Sequence, residues 1–271
     1  MTASGGALLR RNAQGIAEVV LDRVSVHNAL STQLAIDLAG IDLGPGARAV
    51  VLTSESTVAF CVGADLKERA AMNDAEIMAQ RPVFRAAFGA LLALRQPAIA
   101  AVHGYALGGG CELALSCDVI VADATAQLGL PEASVGLVPG CGGTQLLARR
   151  IGPGRAAEMI FSGRRADAEE AQAIGLADRL VAAGSARTTA LDLAAQIAAN
   201  SPVAVRAAKQ ALRNGAGLGL TAALDVEDAA WRTAAYSADR REGIAAFAEK
   251  RKPVWPSQEL PPAEEGSEAR V

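Results

Sequence analysis

Two glutamates, Glu112 and Glu132, stand twenty positions apart in apolar, glycine-rich surroundings. The first follows Gly108-Gly109-Gly110-Cys111 within His103-Gly104-Tyr105-Ala106-Leu107 and on to Leu115. An apolar strand pattern leads into those glycines, and a helical pattern, Cys111 to Ser116, begins after them. Glycines let a ligand approach the main chain closely. The first turn of a helix offers unpaired N–H groups and the positive end of its dipole. Together they would hold negative charge developing on an oxygen, with a carboxylate alongside. A tight strand–helix junction, in which Glu112 merely complements the dipole at the surface, explains the same residues.

Glu132 follows Pro131 in Gln127-Leu128-Gly129-Leu130-Pro131-Glu132, and Gly136 to Gln145 continue the loop with four more glycines. A carboxylate in that apolar stretch would be partly desolvated, which raises its pKa and suits acid/base work. A solvated loop glutamate is the alternative. A third segment runs Phe60-Cys61-Val62-Gly63-Ala64-Asp65-Leu66-Lys67-Glu68-Arg69. Gly63-Ala64 can expose a backbone N–H, whereas capping of the next helix is enough to explain Asp65.

These residues need elements to position them. Ala7 to Arg11 and Ile16 to Leu21 read as a hairpin, with Gly15 able to take a positive φ. Ser31 resembles the N-cap of a helix through about Ile41. Ala49 to Thr53 reads as a buried strand. Asp74 opens a helical pattern to about Leu94, with Pro82 inside it as a kink point. Ala98 to Val102 and Val119 to Ala122 read as further strands. Strand and helix alternate through the first two-thirds, which predicts an α/β fold with mostly parallel, buried strands. From about Arg187 helical patterns take over, at 187–199, 203–214, 219–235 and 240–250. Asn200-Ser201-Pro202 marks a boundary, with a capping serine and a proline at the first helical position. This reading divides the chain into 1–200, a helical C-terminal subdomain at 201–255, and a mobile tail at 256–271.

Composition removes other classes. Hydrophobic residues make up 51% of the 271 residues and charged ones 20%, enough for a substantial core. Aromatics are only 3%, so Ala, Leu, Val and Ile must build it. The net charge of −3, with no basic cluster of duplex-binding density, gives no expectation of nucleic acid. Four cysteines form no CxxC pair, and the two histidines offer no ligand spacing with them, so neither a metal nor a disulfide framework is expected. The amino-terminal residues lack a signal-peptide order, and no apolar run approaches the ~20 residues of a membrane span. A cytoplasmic protein with reduced thiols is expected.

Taken together and in this order, the three segments resemble the crotonase (enoyl-CoA hydratase/isomerase) superfamily. The resemblance extends from Asn28-Ala29-Leu30 to Arg240-Arg241-Glu242-Gly243 and Phe247-Ala248-Glu249-Lys250-Arg251. It implies a spiral of ββα units, an acyl-CoA site in the 1–200 core, and a C-terminal helical part that drives assembly into a homotrimer or homohexamer. It also implies an acyl-CoA substrate and no cofactor, CoA being part of the substrate. The matching oxyanion-hole amides are Ala64 and Gly109. The matching acid/base pair is Glu112, which helps water add at C3, and Glu132, which gives a proton to C2. Contacts with CoA fall to Asn28, Cys61, Val62, Asp65 and Leu66, with Lys250 reaching CoA on a neighbouring subunit. Val62 stands where alanine is more usual, and Leu130 where some hydratases carry a polar residue. Both shape the pocket and spare the reacting groups.

The family resemblance implies hydration of a 2-enoyl-CoA. Isomerisation is the nearest rival, since isomerases of this family often keep only the glutamate at the Glu132 position. The phrase Cys61 to Ala70 resembles methylglutaconyl-CoA hydratases, whose substrates carry a second carboxylate; Lys67, Arg69, Arg81 or Arg85 would then face it. A non-catalytic RNA-binding or scaffold protein is the distant alternative. A dinucleotide-binding dehydrogenase fits poorly, because the glycines at 215–219 follow no strand.

Overall fold

The computed structural model describes residues 6–257 and 268–270. The chain begins with β1 (Ala7–Arg11) and β2 (Ile16–Leu21), the predicted hairpin, with Leu9 opposite Val19. Gly15 turns it at φ 78°, which a side chain would resist. Ser31 then accepts from the Leu34 amide and starts α1 (Thr32–Ala39).

Three turns of a spiral follow. The first is β3 (Ala49–Ser54), β4 (Ala59–Cys61), α2 (Leu66–Ala70) and α3 (Asp74–Leu92). The second is β5 (Ala98–Val102), β6 (Tyr105–Leu107) and α4 (Gly109–Ser116). The third is β7 (Val119–Asp123), β8 (Gln127–Gly129), a 3-10 turn at Pro131–Val135, then α5 (Gly143–Ile151) and α6 (Pro153–Ser162). The strands β9 (Arg165–Asp167) and β10 (Arg179–Val181) flank α7 (Ala168–Ala173). Four helices complete the body: α8 (Ala186–Ala198), α9 (Pro202–Gly215), α10 (Leu220–Ala235) and α11 (Ala238–Ala248).

Each turn places one strand in each of two sheets. The larger sheet has the order β10-β7-β5-β3-β2-β1, with the strand Glu268–Arg270 (β11) antiparallel to β1 at its edge. Its β2, β3, β5, β7 and β10 are parallel. The smaller sheet has the order β4-β6-β8-β9. The expected α/β spiral of ββα units is therefore the observed fold.

The larger sheet is buried on both faces, as its apolar strands require. Val50, Leu52, Ala98, Ala100, Ile120 and Ala122 face the main core. Val51, Ile99, Ala101 and Val121 face α8, which meets them with Ala186, Ala190, Ala194 and Ala198. Alanines at every fourth position make one smooth helix face, so α8 lies close to the sheet without large side chains. Helix α9 is fastened to the core by ions: Lys209 and Arg213 both pair with Asp118, at 2.7 and 2.8 Å.

The long elements fall where the apolar patterns place them. The three-residue strands of the smaller sheet do not, because so short a run has no readable period. Helix α4 starts at Gly109, two residues before the expected Cys111. Helix α3 continues through Pro82 and is capped by Asn73 and Glu76 in a reciprocal box. Of the predicted mobile tail, Pro256–Ser257 form a turn, Glu268–Arg270 form β11, and the rest lies outside the described residues. No helix among the described residues is long and apolar enough to cross a membrane.

Candidate active site

The second sheet does the positioning. Strands β4, β6 and β8 run parallel, and their carboxyl ends deliver three loops to one place. After β4, Gly63 takes φ 88°, and a Cβ there would stand 2.7 Å from the Leu107 carbonyl and 3.3 Å from the Gly109 nitrogen. Only glycine permits that approach. Leu30 clamps the loop from the other side: its amide donates to Gly63 O at 2.8 Å, and Asp65 N donates to its carbonyl at 2.9 Å. Ala64 is held between those two bonds.

After β6, Gly108 at φ 53° turns the chain directly into α4. Gly109 is the first helical residue, so its N–H has no partner within the helix. A Cβ on Gly109 would lie 4.0 Å from Ala64 N. The two amides thus stand side by side, and neither finds an acceptor among the described residues. Two unpaired amides this close are available to donate to one bound oxygen.

Glu112 sits in the first turn of α4 and is 2% exposed. Its Oε1 accepts from Cys141 N at 2.6 Å and from Gly143 N at 2.8 Å. Those amides belong to the loop that opens α5, so the carboxylate occupies a helix N-terminus. Gly143 has no room for a side chain, since a Cβ would meet Glu112 Oε1 and Pro139 Cβ, each at 2.9 Å. Burial pushes the Glu112 pKa up; the two amides, and more distantly Arg81 and Arg69, pull it back.

Glu132 lies on the 3-10 turn after β8, half-buried. Its carboxylate rests against Gly108, whose missing Cβ would come within 3.0 Å of Oε1. Its Oε2 is buried and has no hydrogen-bond partner. Burial first, and the charge of Glu112 less strongly, push its pKa up to about 7. One carboxylate is therefore anchored by amides of another loop, whereas the other has a buried oxygen, Oε2, without a partner. The negative charge of either carboxylate disfavours ionisation of the other, so their titrations interact.

Both carboxylates and both amides line one cleft of about 470 Å³. Its walls include Leu30, Val62, Leu66, Ile77, Phe84 and Val138. Arg69 and Arg81 also face it, whereas Lys67 and Arg85 do not line it. Of the residues expected to touch CoA, Val62 and Leu66 are on the wall. Asn28, Cys61 and Asp65 are not; they build the loop behind it. Buried Asn28, at φ 56°, bonds Arg23 N, Ser54 Oγ and Phe60 O. Cys61 Sγ meets Asn28 O at 3.1 Å. Asp65 caps α2 and pairs with Arg23 at 3.2 Å. Lys250 follows α11 at φ 55° and is not on this cleft.

Cys141 and Gly143, whose amides anchor Glu112, are positions that the sequence reading did not assign. Their signal was present in Gly140-Cys141-Gly142-Gly143, followed by an amphipathic run ending in Arg149-Arg150. That pattern marks a helix start able to accept an anion, but nothing local says which anion.

Comparison with known proteins gives the family and the fold. The sequence pattern of the family described as enoyl-CoA hydratase/isomerase matches residues 11–258. The mouse mitochondrial methylglutaconyl-CoA hydratase is 40% identical over 257 residues, covering 91% of this chain and 81% of that protein. The bovine mitochondrial enoyl-CoA hydratase domain-containing protein 2 is 41% identical over 248 residues, covering 89% and 84%. A crystal structure of enoyl-CoA hydratase from Bacillus anthracis superposes with a TM-score of 0.88 at 39% identity, covering 93% of this chain and 99% of that one.

Proposed function

The chain belongs to the enoyl-CoA hydratase/isomerase family, and on that premise we propose that it hydrates a 2-enoyl-CoA thioester to a 3-hydroxyacyl-CoA. The observation that carries this reading is the convergence of two unbonded amides and two dissimilar carboxylates on one cleft. The thioester oxygen accepts from Ala64 N–H and Gly109 N–H. Addition next to a thioester passes through an enolate-like state, and these donors stabilise the charge where it grows.

A water sits between the two carboxylates. Glu112 is anchored through Oε1, which leaves Oε2 to take a proton as the water oxygen bonds to C3. Glu132, with its pKa near 7, gives its proton to C2. The sum is addition of one H₂O, and one proton returns from Glu112 to Glu132 to restore the pair. Isomerisation needs only one group to move a proton between C2 and C4. The second buried carboxylate, Glu112, with its own pair of amide donors, favours hydration over that rival.

The assembly reading is a homotrimer or homohexamer. Helices α9 and α10 support it by leaving Leu212, Leu220 and Trp231 more than half exposed along an apolar groove. Such a surface is unusual for a lone chain. Lys250, outside its own chain's cleft, then serves a neighbour's CoA.

The test is turnover of crotonyl-CoA, followed by loss of the conjugated thioester absorbance. The natural protein should hydrate it. Inactivity on crotonyl-CoA and on longer or branched 2-enoyl-CoA esters, with conversion of a 3-enoyl-CoA, would replace hydration by isomerisation.

A further inference from the structure

The Ala64 amide belongs to a loop with little apolar anchorage. No residue of α2, which follows it, is buried, and a five-residue helix does not hold itself together in water. Leu30 gives the loop its support. Besides its two backbone bonds to Gly63 and Asp65, its Cδ1 packs on Gly109, where an added Cβ would stand 2.6 Å away. The backbone of one buried residue therefore holds the first amide while its side chain rests against the second. The spacing of the two donors follows wherever Leu30 sits.

What fixes Leu30 lies two residues further along. Thr32 opens α1, so its N–H has no partner within the helix. Glu68 of α2 supplies one, with Oε2 at 2.9 Å. Gln80 of α3 donates through Nε2 to Thr32 Oγ1 at 2.8 Å and to Glu68 Oε2 at 3.4 Å, and its Oε1 accepts from Arg69 Nε at 3.2 Å. Gln80 is 5% exposed. A buried amide is held firmly to its partners, because leaving its bonds unmade costs more than making them contributes. The three helices carry their own caps, Ser31, Asp65 and Asn73, so none needs Gln80 to begin. Its bonds act between the helices, and the place they fix is the start of α1 against α2.

We infer that Gln80 is a positioning residue for the reaction: by holding Thr32 to Glu68 it fixes Leu30 against the 63–65 loop, and with it the aim of the Ala64 N–H beside Gly109. Rates depend steeply on such placement. This rests on reading the two amides as donors to the thioester oxygen, and the test reads that bond directly and without turnover. The saturated, unreactive ester butanoyl-CoA, carrying carbon-13 at its carbonyl, is bound and its C=O stretch recorded by isotope-edited infrared difference spectroscopy. Hydrogen bonds weaken the C=O bond, so the natural protein should lower the stretch below its value in water. In Gln80→Met and in Thr32→Val that lowering should shrink by about half, as one donor of two is misdirected. Thr32→Ser, which keeps the hydroxyl, should retain it. In the same two variants kcat on crotonyl-CoA should fall about tenfold with KM held within about twofold. Gln80→Met and Thr32→Val combined should be no worse than either alone, since both remove one bond.

A stretch lowered equally in the natural protein, Gln80→Met and Thr32→Val overturns the inference and leaves the donor reading in place. Loss in Gln80→Met alone also overturns it, since Gln80 then acts by touching the bound ester. A loss in Thr32→Ser as large as that in Thr32→Val does the same, because the bond through the hydroxyl is then not responsible. No lowering in the natural protein removes the donor reading, and the inference with it. Lowering that depends on both Gln80 and Thr32, in a protein that hydrates nothing, keeps the inference and removes the hydratase reading. Should Gln80→Met fail to fold, Thr32→Val set against Thr32→Ser decides alone.

Discussion

Two hollows in this chain differ in kind. The groove between α9 and α10, about 640 Å³, is lined by alanines with Leu212, Leu220, Leu224 and Trp231; Glu227 is the charged residue on its wall. The cleft beside α4, about 470 Å³, holds two carboxylates, two free amides and two arginines. The apolar groove has only surface to bury, which suits a partner. The cleft beside α4 keeps polar groups out of water without full compensation, and both of its carboxylates have raised pKa values.

The contrast is broken most directly at the carboxylates. Glu112→Gln and Glu132→Gln should each lower crotonyl-CoA hydration by about a hundredfold or more, the usual scale of a lost acid or base. The reading of Glu112 as an anchored base is sharpened by Gly143→Ala. Its Cβ would enter the space of Glu112 Oε1 at 2.9 Å, and steady-state rates should fall about tenfold, a 1.4 kcal/mol effect on the barrier. Thermal unfolding should show the variant still folded.

The pH profile makes a smaller but diagnostic change. Hydration needs Glu132 protonated, and its pKa is raised to about 7. On the alkaline side of that value the rate should therefore drop, about fivefold between pH 7 and 8. Glu132→Gln should abolish that limb. Stability carries the same signature. The unfolded chain releases this proton near 4.5 and the folded one near 7, so the native state binds more protons between them. Stability should fall as pH rises through that window, then level off. Denaturant titrations of the natural protein and Glu132→Gln measure the difference.

The smallest effect on the chain itself is expected in the groove. Trp231→Ala removes an exposed side chain, and its cost to a lone chain should stay within about 0.5 kcal/mol. Light scattering should show loss of the larger assembly instead. A stable monomeric natural protein would leave that groove without its proposed partner.

What the sequence determined by itself was the set of strong local choices. The hairpin of β1 and β2, the Ser31 and Ser201 caps, and the helices from α8 to α11 follow from turn chemistry and apolar period over many residues. Gly63-Ala64, Gly108-Gly109-Gly110, Glu112 and Glu132 were legible as candidates, each with a bland alternative, and the resemblance to a known family joined them into one expected site. Tertiary structure decided the rest. Three-residue strands such as Ala59–Cys61 and Tyr105–Leu107 exist only because each pairs with a neighbour distant in sequence. The same pairing brings Gly63 against Gly109, and Gly143 against Glu112, thirty-one positions away. It also separates Arg69, held by Gln80 and Phe84, from Lys67 and Arg85, which look equivalent in sequence. Local pattern reports what a segment prefers. It carries no record of which burial or hydrogen bond another segment will supply, and at this site those long-range contacts set where the charges lie.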